Sequence, residues 1–292
     1  MSPRTSSKPR QFPAALARSW LLVSAADKPA VDRADASNAD AIVLDLEDGV
    51  AAIDKASARD HANHCLHGTS GMWVRINNAT TDDWVRDLDM IASSPTPAGV
   101  VLAKAEDAEQ VTATAARLAG RSPVVAMIES ALGLENARAI AEASPTARLA
   151  FGSGDFRLDT GMGADPIALA HTRSLLVIAS RTAQISAPID GPCLTDDVEE
   201  LSRSIDVSKS AGMSGKLCLS IAQIDQINRA FAPTPSEIEW AQNLIERLGA
   251  DGARVRRGSE RPQLARALRI RDHANSFAAA SRTSTDNNAA RE

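Results

Sequence analysis

Charged side chains recur in this sequence where buried apolar runs stop. The run AIVLDLEDGV carries Asp45, Glu47 and Asp48, MWVRIN ends in Arg75 and Asn77, and GVVLAK ends in Lys104 with Glu106 following. PVVAMI is followed by Glu129 and Ser130, and RLAFGSGD reaches Asp155 past Gly152 and Gly154. One such charge is ordinary for a solvated loop. Charges at several strand ends converging on one place need another account, because buried charges must be paired or bound to metal. Glu129 and Asp155 form the best pair for a hard divalent ion. Mg2+ takes one or two carboxylates and fills its octahedron with water and substrate oxygens, and the two glycines let backbone and ligand approach closely. Glu129 as the cap of a helix starting near Ala131 is the plainer alternative. Arg75 has the planar fork that suits a carboxylate clamp. It suits equally a salt bridge to the acids of the second strand, and the two are compatible. Lys104 and Ser130 stand where they would face a substrate.

A second set of cations, Arg18, Lys28, Lys55 and Arg59, flanks the first two strands and would suit phosphates. Lys55 and Arg59 also read as an i, i+4 pair on a solvated helix face. The stripe His61, His64, His67 beside Cys65 has metal-like spacing. It lies on a helix running away from the strand ends and is left out of the site. His171 and His273 fall in or after helical stretches. With no histidine at a strand end, a Ser-His-Asp hydrolase is disfavoured, and the chain has no tyrosine to act as acid or base.

The elements that must position these groups follow from periodicity. Eight short apolar runs, SWLLVS, AIVLDL, MWVRIN, GVVLAK, PVVAMI, RLAFGS, QISAPI and KLCLS, alternate with helical stretches. Such alternation predicts a parallel sheet, and eight units close it as a (β/α)8 barrel, whose sites sit at the C-terminal ends of the strands. An open doubly wound sheet is the runner-up, but the turn VSAADKPA lacks that fold's glycine-rich signature. The expected organisation is a disordered tail over 1–17, a barrel over 18–232, a C-terminal helical extension over 233–275 and a disordered tail over 276–292.

The chain has 292 residues, 44% of them hydrophobic, and a net charge of −5. An acidic balance argues against a nucleic-acid binder, and no window is long and apolar enough to span a membrane. Three cysteines without CxxC spacing suggest neither a zinc ribbon nor a disulfide framework, which fits a reducing, cytoplasmic setting.

The segments RSWLLVSAADKPAVDRADASNADAIVLDLEDGVAAIDKASARD, VRIN, AKAED, MIESALGLENARAIA, FGSGDFRLDTGM and GMSGKLCLSIAQIDQINRAFAPTPSEIEWA follow one another in order. Together they resemble the citrate lyase β-subunit-like branch of the HpcH/HpaI aldolase family, over residues 18 to about 275. The resemblance implies a Mg2+-dependent carbon–carbon lyase on a TIM barrel, trimeric or hexameric, acting on 3-hydroxyacyl-CoA thioesters such as citryl-, malyl- or citramalyl-CoA. It implies Glu129 and Asp155 as metal ligands and Arg75 as the clamp on the oxo-acid carboxylate. Glu47 and Asp48 would line the same pocket, and Arg18, Lys28, Lys55 and Arg59 would lie toward the CoA phosphates. Two departures stand out. Ser220 and Ile221 occupy the places of a His-Pro pair, and GSERPQ offers Glu260 where relatives often have an aspartate that acts across a subunit interface. Three other readings stay open: an aldolase on a free 2-oxo acid, a malyl-CoA-type thioesterase, and a non-catalytic acyl-CoA binder.

Overall fold

The computed structural model describes residues 12–68, 71–94 and 97–289. Strands β1 (Ser19–Ser24), β2 (Ala41–Asp45), β3 (Trp73–Ile76), β4 (Gly99–Leu102), β5 (Val124–Ile128), β6 (Thr146–Phe151), β7 (Ile189–Asp190) and β8 (Gly215–Cys218) close into a barrel in sequence order. Every pairing is parallel, including that of β1 with β8. Between them run α1 (Lys28–Asp35), α2 (Lys55–Gly68), α3 (Asp82–Ala92), α4 (Ala108–Arg117), α5 (Ala131–Glu135), α6 (Ala137–Glu142), α7 (Ser153–Thr160), α8 (Ala170–Thr182) and α9 (Val198–Ala211); α10 (Ile224–Phe231) follows β8. This is the (β/α)8 architecture that the strand periodicity predicts. The seventh run is much shorter than expected. Of QISAPI only Ile189 is strand, because Gln184 takes a left-handed φ of 59° and Pro188 has no amide to donate.

Period-two alternation sends Trp20, Val43, Trp73, Val101, Val125, Met127, Ala150, Ile189 and Leu217 into the barrel as one apolar cluster. Trp20 and Trp73 meet edge to face at 4.9 Å between ring centroids. Gly99 makes room for them, since a Cβ there would lie 2.3 Å from the Trp73 ring. Below this layer the fully buried Arg148 guanidinium donates to the carbonyls of Ala14, Ala17 and Ala187 and to Ser214 Oγ. The N-terminal end of the barrel is thus filled with side chains. Above the layer the same inward parity reaches Asp45, Arg75 and Glu129.

Residues 229–292 form a separate compact unit. There α11 (Pro235–Leu248) starts at a capping box between Thr234 and Glu237. Its face of Ala241, Leu244 and Leu248 packs on Leu264 and Ala267 of α12 (Glu260–Ala289). Two tail expectations need correction. Residues 276–289 continue α12, helped by the helix-favouring run Ala278–Ala280. Residues 13–17 form a turn in which Leu16 and Ala17 donate to the Pro13 carbonyl. The remainder of both tails, 1–11 and 290–292, lies outside the described residues. No described helix is long and apolar enough to cross a membrane.

Candidate active site at the barrel mouth

The loop after β2 is shaped by Asp45. Its oxygens accept from the Glu47 and Gly49 amides at 2.9 Å each, turning the chain sharply. Gly49 is needed there, since a Cβ would fall 2.2 Å from Asp45 Oδ2. The same carboxylate takes two parallel bonds from Arg75, Nε and Nη2 each at 2.7 Å. Arg75 Nη1 lies 3.2 Å from Glu47 Oε2, an oxygen that accepts no hydrogen bond. The Arg75 fork is therefore taken by Asp45, and only its Nη1 edge faces the site. Burial works against the Arg75 charge, but Asp45, Glu47 and Glu129 more than offset it and raise its pKa.

Lys104 follows β4 with φ at +50°, a conformation rare outside glycine. Its amide donates to Glu129 Oε1 at 3.0 Å. Its ammonium reaches Glu47 Oε1 at 2.7 Å, Asp48 Oδ2 at 3.0 Å and Asp155 Oδ2 at 3.2 Å. Burial opposes that charge, yet the bonds to Glu47 and Asp48 raise its pKa.

Glu129 ends β5 at 5% exposure. Burial pushes its carboxyl up to about 7 against the pull of Arg75, and the nearby Glu47 and Asp155 carboxylates add to the rise. Gly152 lies against it, for a Cβ there would sit 2.3 Å from Glu129 Oε2. Ser130, not Glu129, caps α5, with Gly133 N donating to Ser130 Oγ. Asp155 lies in the first turn of α7 with a side chain 34% exposed, where the helix dipole favours a negative charge. Burial also raises the Glu47 carboxyl; for Asp48 burial acts the same way, but the Lys104 bond, the Glu47 side chain and the Arg75 charge together outweigh it and lower the carboxyl.

The mouth thus holds five carboxylates, Asp45, Glu47, Asp48, Glu129 and Asp155, against two cations, Arg75 and Lys104. A hard divalent cation fits this donor set: oxygen ligands, an excess of negative charge, and a buried Glu129 whose charge the protein under-compensates. Among the described residues no group of three His, Cys, Asp or Glu forms a ready metal cage. A two-carboxylate Mg2+ site, with water and substrate completing the shell, does not require one.

Several expected roles need correction. Arg18 stands at the N-terminal end of β1, away from the mouth; its amide, Nε and Nη2 bond to Asp40 and its Nη1 donates to the Asn228 carbonyl. The Lys55 ammonium is spent on the carbonyls of Leu46 and Glu47 and on Asn77 Oδ1, at 2.7 to 2.8 Å. It fastens the acidic loop from behind. Arg59 pairs with Asp87 and Asp83. None of these three presents a free cation to a phosphate, whereas Lys28 is exposed at the start of α1. Ser130 donates its hydroxyl proton to Glu106 Oε1 at 2.7 Å, so it supports α5 rather than offering a donor to substrate. Ser220 bonds Asp196 and caps the turn Ile221–Gln223. Glu260 accepts from the amides of Arg256 and Arg257 within its own unit.

Asp87 was not anticipated. It is fully buried on α3 and accepts from the Asn77 amide, Asn77 Nδ2 and Arg59. Its signal was an acid on the apolar stripe of Leu88 and Ile91, one turn after Trp84. Beside the mouth, between β1, α1 and the β8 loop, lies a cavity of about 400 Å3 lined by residues that include Leu21, Val23, Arg33, Leu219 and Ser220.

A closed parallel barrel with a buried, acid-rich C-terminal mouth defines a TIM-barrel enzyme. Residues 18–220 match the model of the HpcH/HpaI aldolase/citrate lyase family, and residues 236–278 match that of the HpcH/HpaI aldolase C-terminal domain. The chain belongs to this family, in its citrate lyase β-like branch, and is a lyase. A citrate lyase subunit beta-like protein of Mycobacterium tuberculosis is 31% identical over 237 residues, 77% of this chain and 83% of that protein. A (3S)-malyl-CoA thioesterase of Cereibacter sphaeroides is 32% identical over 236 residues, 78% and 81% of the two chains. Among solved structures, CitE from M. tuberculosis in complex with magnesium, acetoacetate and coenzyme A superposes with a TM-score of 0.73 at 28% identity, covering 89% of this chain and 99% of that one. RipC from Yersinia pestis gives 0.68 at 31% identity, covering 77% and 100%.

Proposed function

We propose that the chain is a Mg2+-dependent carbon–carbon lyase that cleaves or forms a 3-hydroxyacyl-CoA thioester of the citryl-, malyl- or citramalyl-CoA type. The observation that carries this reading is the buried, under-compensated Glu129 beside Asp155 in a mouth that also holds Arg75 and Lys104. The magnesium complexes of CitE support it. Glu129 and Asp155 would hold the ion, which would supply Lewis-acid stabilisation of charge on the oxo-acid oxygens. The Nη1 edge of Arg75 orients the carboxylate of the oxo-acid fragment. In the cleavage direction the hydroxyl proton leaves, the bond between the carbinol carbon and the carbon α to the thioester breaks, and its electron pair forms the thioester enolate. The enolate then takes a proton to give the shorter acyl-CoA. A carboxylate must handle these protons. Glu47 suits that role, with a raised pKa and one oxygen that accepts no hydrogen bond.

The acyl-CoA arm is assigned to the cavity between β1, α1 and the β8 loop, whose lining includes the exposed Arg33, with the exposed Lys28 at the start of the adjoining α1. We further assign a homotrimer or hexamer in the cytoplasm. Sedimentation velocity tests the oligomer.

The decisive experiment incubates acyl-CoA thioesters and 2-oxo acids with and without Mg2+ and reads the products by mass spectrometry. Metal-dependent cleavage to a 2-oxo acid and an acyl-CoA, abolished in Glu129→Ala, is the expected result. Turnover indifferent to both metal and Glu129 would sink the reading. The similarity to malyl-CoA thioesterases at 30–32% identity favours one second reading, hydrolysis. It is distinguished by release of free CoA thiol and an intact hydroxy diacid.

A further inference from the structure

Lys104 touches four acids of the mouth by two different routes. Its amide holds Glu129 Oε1 at 3.0 Å, and its ammonium spans Glu47, Asp48 and Asp155. The left-handed backbone at φ +50° is what lets one residue aim its amide at β5 while its side chain crosses to the β2 loop and α7. The two functions are separable: the amide needs only the backbone, and the ammonium needs only the side chain.

We propose that Lys104 is a tethered cation that competes with the divalent ion for Asp155, so that metal binding is coupled to withdrawal of its ammonium onto the Glu47 and Asp48 wall. The inference rests on Glu129 and Asp155 as the metal ligands. An ammonium 3.2 Å from Asp155 Oδ2 occupies a coordinating oxygen and repels a dication bound beside it. Its remaining partners, at 2.7 and 3.0 Å, are the closer ones, so withdrawal leaves it paired. Without metal, the ammonium screens the acids from one another. The cost of dislodging it lowers metal affinity, and by linkage metal loosens the hold of Asp155 on Lys104 to the same degree.

The test titrates full-length protein with MgCl2 by calorimetry and with MnCl2 by electron paramagnetic resonance. Wild type, Lys104→Gln, Lys104→Arg and Glu129→Ala are compared, and folding is checked by circular dichroism. Lys104→Gln is expected to bind both ions on the order of tenfold more tightly, Lys104→Arg within about twofold of wild type, and Glu129→Ala not at all. A folded Lys104→Gln that binds metal no more tightly than wild type overturns the inference. If wild type binds while Glu129→Ala does not, the metal site itself still stands. If wild type binds neither ion, both fall. Should Lys104→Gln fail to fold, wild type carrying 15N-lysine decides. The Lys104 Nζ resonance, identified by its loss in Lys104→Arg, must shift as Mg2+ saturates, and an unmoved signal overturns the inference.

Discussion

Two charge clusters sit in different places on the barrel, one at its mouth and one behind its wall. At the mouth, five carboxylates gather against two cations. On the outer face, Asp190 of β7 meets Lys216 of β8, Arg173 of α8 and Ser208 of α9, one carboxylate against two cations. The consequences are opposite. Burial raises Glu129 and Glu47 at the mouth, because their partners do not fully offset it. Behind the wall, Lys216 and Arg173 overcome burial and lower Asp190. Burial of charge alone therefore does not mark a site. The mark is an excess of carboxylates left uncompensated beside open space; the Asp190 cluster, in which two cations meet one carboxylate and burial lowers the pKa of Lys216, is a clamp between strands and helices.

Four substitutions break or sharpen this contrast. The largest effect is expected from Glu129→Ala, with turnover reduced about a thousandfold or more if the metal site is lost, and a thermal midpoint close to wild type. Mass-spectrometric rates and calorimetry check both halves. Asp190→Ala should do the reverse. It strands Lys216 and Arg173 without their carboxylate and costs about 3–5 kcal/mol of stability, read from urea unfolding. A variant as stable as wild type would show that this cluster is not a clamp.

Glu129→Gln gives a smaller, pH-dependent effect. The folded-state pKa near 7 lies above the unfolded value of 4.5, so the folded state favours the neutral acid. Below about pH 4.5 wild type and variant should be equally stable. As pH rises toward and through 7, metal-free wild type should fall behind the neutral variant by on the order of 3 kcal/mol. Equal stability at pH 8 would show that Glu129 is compensated after all. The smallest effect belongs to Lys28→Ala. Loss of one exposed cation at the start of α1 should weaken CoA binding only a few-fold, and more at low salt than at high salt.

The sequence was most informative where a periodic rule operated. The eight β/α alternations, the inward parity and the strand ends carrying Asp45, Arg75, Lys104 and Glu129 were all legible in it. It was least informative where long side chains choose among partners. Lys55 and Arg59 stood in the right region, yet one fastens the Leu46 and Glu47 carbonyls and the other pairs with Asp83 and Asp87. Arg18 was misjudged by one strand length, because flanking a strand does not say which end of the barrel is meant. Asp87 was missed because its partners, Asn77 and Arg59, come from separate β/α units.

By itself, then, the sequence determined the barrel and the set of charges at its mouth, because strand periodicity and the parallel topology are local rules that repeat. Only the tertiary structure decided which charges neutralise which. That depends on distances of about 3 Å between residues tens of positions apart, such as Lys104 with Glu47 and Asp155, and on burial that weakens solvent screening. The acids of AIVLDLEDGV show the division: one run supplies them, yet Asp45 braces Arg75 while Glu47 and Asp48 hold Lys104.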